Sequence, residues 1–177
     1  MVSQKNKILA ITGSTRKNSS NYKILKYISE NIKAEFEFEI FEDLADIPHF
    51  NPDLDTENPP IAVEEFRNKI NEADRIIICT PEYVFSIPGS LKNALEWCVS
   101  TTIFSDKKTG LITASASGEM GHDQLIVIME TLGARLQPNT KLLIQGIRGK
   151  IDEDGKIINE EMELTLQTFI YNFENLP

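Results

Sequence analysis

The sequence predicts an α/β sandwich: a five-stranded parallel sheet in the order 2-1-3-4-5, with helices on both faces. Three observations predict it. Strand-like apolar runs alternate with helix-periodic segments five times along the chain, which builds a parallel sheet covered on both sides. The second run alternates apolar and acidic residues, as a strand at a sheet edge does. The 177 residues carry no internal repeat or low-complexity tract, so residues 1–177 are expected to form a single domain around one sheet.

The elements follow in order. Residues 7–13 read as a buried strand and 20–33 as a helix with Tyr22, Leu25, Ile28 and Ile32 on one stripe. "EFEFEIFE", 35–42, is the half-exposed edge strand. Residues 43–60 hold four prolines and several Asp and Asn residues, so they form a long irregular loop. A helix fits 61–73, and "RIIICT", 75–80, is a fully buried strand. "PEYVFSIPG" is a loop and 89–100 a helix. "GLITASA", 110–116, is the fourth strand, followed by the loop "SGEMG" and a helix over about 121–136. "KLLIQGI", 141–147, is the fifth strand. "KIDEDGKII" carries a DG turn between short extended pieces, and a helix over 159–173 closes the chain. The strand order is that of flavodoxin-like three-layer folds.

Composition narrows the class. No apolar stretch approaches the ~18 residues of a membrane span, and "MVSQKNK" lacks the apolar region of an export signal. Cys79 and Cys98 lie in apolar contexts without CxxC spacing, as buried thiols of a reducing compartment do. A cytoplasmic protein is expected. His49 and His122 have no partners at metal-ligand spacing. The net charge of −9 repels nucleic acid and acidic membranes, so any anion site must be built by local geometry.

In a doubly wound sheet, ligands bind beyond the carboxyl ends of the strands at the switch point, here between strands one and three. The loops that meet there are 13–20, 80–89 and 115–121. Loop one, "GSTRKNSS", precedes a helix whose first amides are free and carry partial positive charge. Ser14, Ser19 and Ser20 add hydroxyls, and Arg16 adds a fork that matches a phosphate group. A simple cap needs one hydroxyl residue; this loop has four. It is neither a Walker loop nor a G-x-G-x-x-G fingerprint. Loop two is pinned by Pro81 and Pro88. It presents Tyr83, Val84, Phe85 and Ile87 as an apolar surface that suits the face of a flat aromatic ligand, or a subunit interface. Loop three, "SASGEMG", has small residues that let its backbone approach a ligand.

"GSTRKNSSN" followed by "TPEYVFSIPGSLKNALEWCVS" closely resembles the NADPH-dependent FMN reductase family of quinone, azo-dye and chromate reductases. Gly13, Ser14, Arg16, Ser19 and Asn21 match its loop-one pattern G-S-x-R-x-x-S-x-N. Pro81, Glu82, Tyr83, Ser86, Pro88, Gly89, Leu91, Lys92, Asn93 and Ala94 match its loop-two pattern P-E-Y-N-x-S-x-P-G-x-L-K-N-A. The "IDEDGKI" hairpin is also family-like. Two departures stand out: Val84 replaces the usual asparagine, and "SASG" at 115–118 replaces a Gly-Gly turn.

The resemblance implies that Ser14, Arg16, Ser19, Ser20 and Asn21 hold the FMN phosphate. It implies that Pro81, Glu82, Tyr83, Val84, Phe85, Ser115, Ser117 and Gly118 line the isoalloxazine. NADPH or NADH would reduce the flavin and leave, and a small-molecule acceptor would then take two electrons in a ping-pong scheme. The flavin carries that chemistry, in keeping with a sequence that offers no Ser-His-Asp or Cys-His constellation and no metal cluster. Glu82 is read as structural, orienting loop two or a partner subunit, and not as a catalytic acid. A flavodoxin-like electron carrier and a non-catalytic flavin-binding protein are the alternatives. Loop two with Leu95, Trp97 and Val99 carries more apolar surface than one sheet edge needs, so a homodimer or homotetramer is expected, with the flavin near the interface.

Overall fold

Three apolar runs without alternation occupy the middle of the sheet because both of their faces are covered: β1 (Asn6–Thr12), β3 (Arg75–Thr80) and β4 (Lys108–Ala114). The computed structural model describes residues 6–177; most of the "MVSQKNK" segment, residues 1–5, lies outside the described residues. β2 (Phe36–Phe41) and β5 (Lys141–Ile144) form the edges, giving the order β2-β1-β3-β4-β5 with every pairing parallel. The order is the one the alternation predicts, and Glu37 and Glu39 on β2 face solvent as an edge strand allows.

Successive strand residues feed two separate cores. Leu9, Ile11, Ile76, Ile78 and Leu111 pack with α2 (Ile61–Glu72), α3 (Gly89–Glu96) and α4 (Glu119–Thr131). Ile8, Ala10, Ile77, Cys79 and Ile112 pack with α1 (Ser20–Asn31) and α5 (Glu160–Glu174). On α1 the fully buried stripe is Asn21, Ile24, Leu25 and Ile28. Tyr22 and Ile32, expected on it, are only half-buried.

The element ends differ from the sequence reading where glycine has a tertiary role. α4 starts at Glu119, not 121, because Gly118 caps it at φ +94° and Gly121 sits inside its first turns. It stops at Thr131, not 136. Gly133 (φ +81°) donates to Glu130 O and Ala134 donates to Met129 O, the paired bonds of a Schellman end. β5 stops at Ile144, not 147. Gly146 and Ile147 instead donate to the carbonyls of Ala116 and Ser115, so the chain after β5 wraps beneath loop three. α3 stops at Glu96, with turns to residue 100.

The long 43–60 segment contains two short 3-10 turns, Asp43–Asp46 and Pro52–Leu54. It is strapped to α3. Asn93 accepts from Phe50 N (2.7 Å) and donates to Pro48 O (2.9 Å). Trp97 Nε1 donates to Pro48 O at 2.8 Å while its ring meets Phe50 edge-on. Arg67 pairs with Asp55 at 2.7 Å and with the Trp97 carbonyl. The DG turn is present, with Gly155 at φ +92°. Lys23 Nζ fastens it to α1 through the carbonyls of Asp152 (2.9 Å) and Glu153 (2.8 Å). Both cysteines are free and buried. Burial pushes both thiols up, Cys98 to about 12, so both stay protonated and inert. Among the described residues no helix is long and apolar enough to cross a membrane.

Gly110 on β4 leaves room for two buried rings: a Cβ there would lie 2.7 Å from Phe169 Cζ and 2.9 Å from Phe173 Cδ2. Overpacking of this kind costs about 1–3 kcal/mol. Gly110→Ala is expected to lower unfolding stability by that amount in a denaturant titration. Gly89→Ala, with nothing within 4 Å of the new methyl, is expected to be neutral or stabilising by up to about 1 kcal/mol.

Candidate functional site

The three loops meet at the carboxyl edge of the sheet, because β1 and β3 are neighbours whose helices pack on opposite faces. Loop one leaves β1 at Gly13, whose amide donates to Cys79 O at 2.8 Å. A Cβ at Gly13 would lie 2.2 Å from Thr80 Oγ1, so only glycine lets the loop pass this close to β3.

The structure gives loop one's polar groups distinct tasks. Ser19 is the N-cap of α1, accepting from Tyr22 N at 3.1 Å. The amides of Ser20 and Asn21, before the first helical bond from Lys23 N to Ser19 O, keep their donors free, as at any helix start. Ser14 is buried and accepts from Arg16 N at 3.3 Å. Asn21 is not at the surface. Its amide reaches Ala114 O at 3.5 Å and its oxygen accepts from Cys79 Sγ at 3.4 Å, so it ties α1 to the ends of β3 and β4. Arg16 is exposed and lines a cavity of about 340 Å³ with Ser14, Lys17, Glu42, Asp43 and Asp46.

Loop two is a tight hairpin. Tyr83 and Ser86 exchange both backbone bonds (2.8 and 3.1 Å) around Val84 (φ +52°) and Phe85 (φ +56°). Positive φ at both central positions makes a type I′ turn, which favours Asn-Gly. A β-branched residue there is strained, at about 1–3 kcal/mol. Val84 is 94% exposed and Phe85 71%. The asparagine expected at position 84 suits this left-handed backbone; valine does not. Gln124 on α4 steadies the hairpin, accepting from Ser86 Oγ at 2.6 Å and donating to Phe85 O at 3.2 Å.

Glu82 links loops two and three. One carboxylate oxygen accepts from Gly118 N (3.2 Å), the other from Gly121 N (2.8 Å). It therefore caps the N-terminus of α4, where negative charge is favoured. Ser115 Oγ donates to Glu82 O at 3.4 Å, and Ser117 stays exposed. Beneath the loop, His122 Nδ1 lies 2.9 Å from the buried Thr113 hydroxyl. Sequence reasoning missed Gln124 and the His122–Thr113 pair. Their one signal is polarity at the start of "HDQLIVIM", an otherwise apolar helix.

These residues fit a flat, phosphate-bearing ligand. Loop one offers free helix amides, hydroxyls and a guanidinium, a donor set matched to a phosphate. The Thr12 hydroxyl, one residue before the loop, is buried with no hydrogen-bond partner among the described residues, and a ligand oxygen or a water would satisfy it. Among the described residues no cluster of His, Cys, Asp and Glu could hold a metal ion. A larger cavity, about 600 Å³, lies elsewhere, between α1 and the 153–157 hairpin.

Burial holds the His122 pKa below its ordinary 6.5; Lys141 adds to the drop and Asp123 opposes it. The unfolded chain therefore takes up a proton below about pH 6.5 while the folded one does not. Stability is expected to fall as pH drops through 6.5 and to level off below the folded pKa. Urea titrations from pH 8 to pH 5 should show that loss in the wild type and less of it in His122→Gln.

Comparison with known proteins gives the family. Residues 6–147 match the profile of the family described as NADPH-dependent FMN reductase. The chain is 31% identical over 171 residues, 93% of its length and 84% of the relative's, to an NADH:(hydroxy)cinnamate reductase subunit of Vibrio ruber. It is 30% identical over 171 residues, 93% and 92% of the two chains, to a 2-hydroxy-1,4-benzoquinone reductase of a Burkholderia species. Among solved structures, the flavoenzyme NAD(P)H:(acceptor) oxidoreductase of Paracoccus denitrificans superposes with a TM-score of 0.80. Its identity is 26%, covering 95% of this chain and 94% of that one. The chain belongs to the NADPH-dependent FMN reductase family, oxidoreductases on a flavodoxin-like fold.

Proposed function

We propose that this chain binds FMN at the three loops and reduces small-molecule acceptors with NADPH or NADH. The observation that carries the reading is the joining of loops two and three by Glu82, beside a phosphate-suited loop one. When bound, FMN supplies the redox chemistry, two electrons at a time in a ping-pong cycle, with quinones, azo compounds or free flavin as acceptors.

The protein's part is to bind and orient. Ser14, Arg16, Ser19 and the amides of Ser20 and Asn21 hold the phosphate. The backbone of Pro81–Phe85 and of Ser115, Ser117 and Gly118 flanks the ring. Glu82 is committed to two amides and so positions the loops.

One domain accounts for the whole chain, in a reducing cytoplasmic setting that suits its two free thiols. Self-association is proposed through an apolar groove of about 340 Å³ between α3 and α4, where Val99 and Val127 are exposed. Of the side chains expected to supply an apolar association surface, Ile87, Leu95 and Trp97 are buried in the core, while Val99 and, on loop two, Tyr83, Val84 and Phe85 are exposed. A dimer or tetramer is the expected mass in light scattering at micromolar concentration, and a strict monomer would remove this part of the reading.

Arg16 tests the phosphate site. A charge-assisted hydrogen bond is worth about 1.5–3 kcal/mol, so Arg16→Ala is expected to weaken FMN roughly 10- to 150-fold. Riboflavin, which lacks the phosphate, should lose almost nothing. Flavin fluorescence quenching measures both, and equal affinity of the wild type for the two flavins would overturn the assignment. FMN-dependent NADPH oxidation with a quinone separates an enzyme from an electron carrier.

A further inference from the structure

We infer that the cavity between α1 and the 153–157 hairpin is an adenosine subsite, which the adenylate half of FAD fills while its flavin-side phosphate sits on loop one. The assignment rests on the flavin-site reading above and extends the ligand beyond FMN to a dinucleotide.

The cavity, about 600 Å³, falls within the ~300–1,000 Å³ range of small-molecule sites. It shares residues with the approach to the phosphate donors. Asn18, at φ +54°, turns loop one into the Ser19 cap and lines the cavity. Tyr22 lines it too, and its amide is the one that Ser19 holds. The lining then follows α1 through Lys26 and Tyr27 to Glu30. At ~1.5 Å per residue, Ser20 and Tyr27 are about 10 Å apart along the helix axis, a span that a second phosphate and a ribose bridge.

The far wall is held in place. The hairpin rests on the stem of Lys23: an added Cβ at Gly155 would lie 3.4 Å from Lys23 Cγ, and Lys23 Nζ donates to the carbonyls of Asp152 and Glu153. Asp152 Oδ1 accepts from Lys156 N at 2.8 Å and closes the turn. The Tyr27 hydroxyl donates to Glu163 Oε1 at 3.4 Å, joining lining residues of α1 and α5. A hairpin that only connected β5 to α5 would not need a lysine to prop it beside an open gap.

The lining matches adenosine in its chemistry. Tyr22 and Tyr27, both half-buried, bring aromatic surface for a purine. Glu30, Glu153, Asp154 and Glu163 bring carboxylates. Adenosine is neutral and offers them donors, two ribose hydroxyls and the 6-amino group. A carboxylate on a ribose hydroxyl is how dinucleotide folds hold this moiety. Of the three lysines there, Lys23 is engaged by carbonyls and Lys26 lies 4.0 Å from Glu30.

Titration calorimetry of the apo chain with FMN and with FAD tests the assignment. The wild type is expected to bind FAD about tenfold more tightly than FMN, the size of one base–aromatic stack. Tyr27→Ala should remove that gain and leave FMN affinity unchanged, which also shows that the variant is folded. Tyr27→Phe, which keeps the ring, should retain the gain. A ¹⁵N NMR titration of the wild type needs no variant: FAD should move amides of Lys23–Glu30 and Glu153–Ile157 that FMN leaves in place. FAD binding no tighter than FMN, a Tyr27→Ala variant that keeps the gain, or FAD shifts confined to the three loops would overturn the inference. So would shifts at the cavity from NADH on the FMN-loaded chain but not from FAD, which would give the cavity to the nicotinamide dinucleotide. Failure of the wild type to bind either flavin would instead strike the flavin reading itself.

Discussion

The carboxylate of Glu82 accepts hydrogen bonds from the amides of Gly118 and Gly121, and through them the loop after β3 is fixed to the first turns of α4. Leaving those donors unpaired costs about 1–3 kcal/mol each when buried, so the bond pair holds its geometry. Gly121 is tied to it by space as well: a Cβ there would come within 3.2 Å of the Glu82 side chain. Gly118 at φ +94° turns its amide toward the same carboxylate. The Gln124 contacts to Ser86 and Phe85 then add a second point of attachment one turn further along the helix.

Loop one is fixed differently, by close packing and not by a charge. Gly13 passes so near Thr80 that no side chain fits, and Asn21 reaches from α1 to Ala114 O and Cys79 Sγ. The start of α1 is thereby locked against the ends of β3 and β4, beneath the other two loops. Rigid loops of this kind hold a ligand with little ordering on binding.

Much of this was legible in the sequence. The strand order followed from continuous apolar runs and one alternating strand, because burial on both faces or on one face writes itself into composition. Element ends were less legible. Gly121 reads as the end of loop three and instead sits inside α4 with its amide on Glu82, while Gly118 caps the helix start with its amide on the same carboxylate and Gly133 closes its end. The family patterns mark Asn21 and Asn93 without showing their tasks. Asn93 straps Pro48 and Phe50 to α3, forty-odd residues away, a link no local period reveals. Trp97 reads as surface on an amphipathic helix, yet the 43–60 segment folds over it and takes its indole N–H. Val84 was visible as a departure; the turn's positive φ supplies the physical reason why asparagine suits that position.

The central claim is that the three loops, and not the larger cavity between α1 and the 153–157 hairpin, receive a phosphate-bearing flavin. Amide shifts in a ¹⁵N NMR titration test it most directly, with FMN and riboflavin added in turn to the free protein. The account predicts that both ligands move amides of residues 81–86 and 115–121, and that only FMN moves those of Ser14–Asn21. Shifts centred on Lys23, Tyr27 and Gly155, or identical shifts in loop one for both flavins, would contradict it.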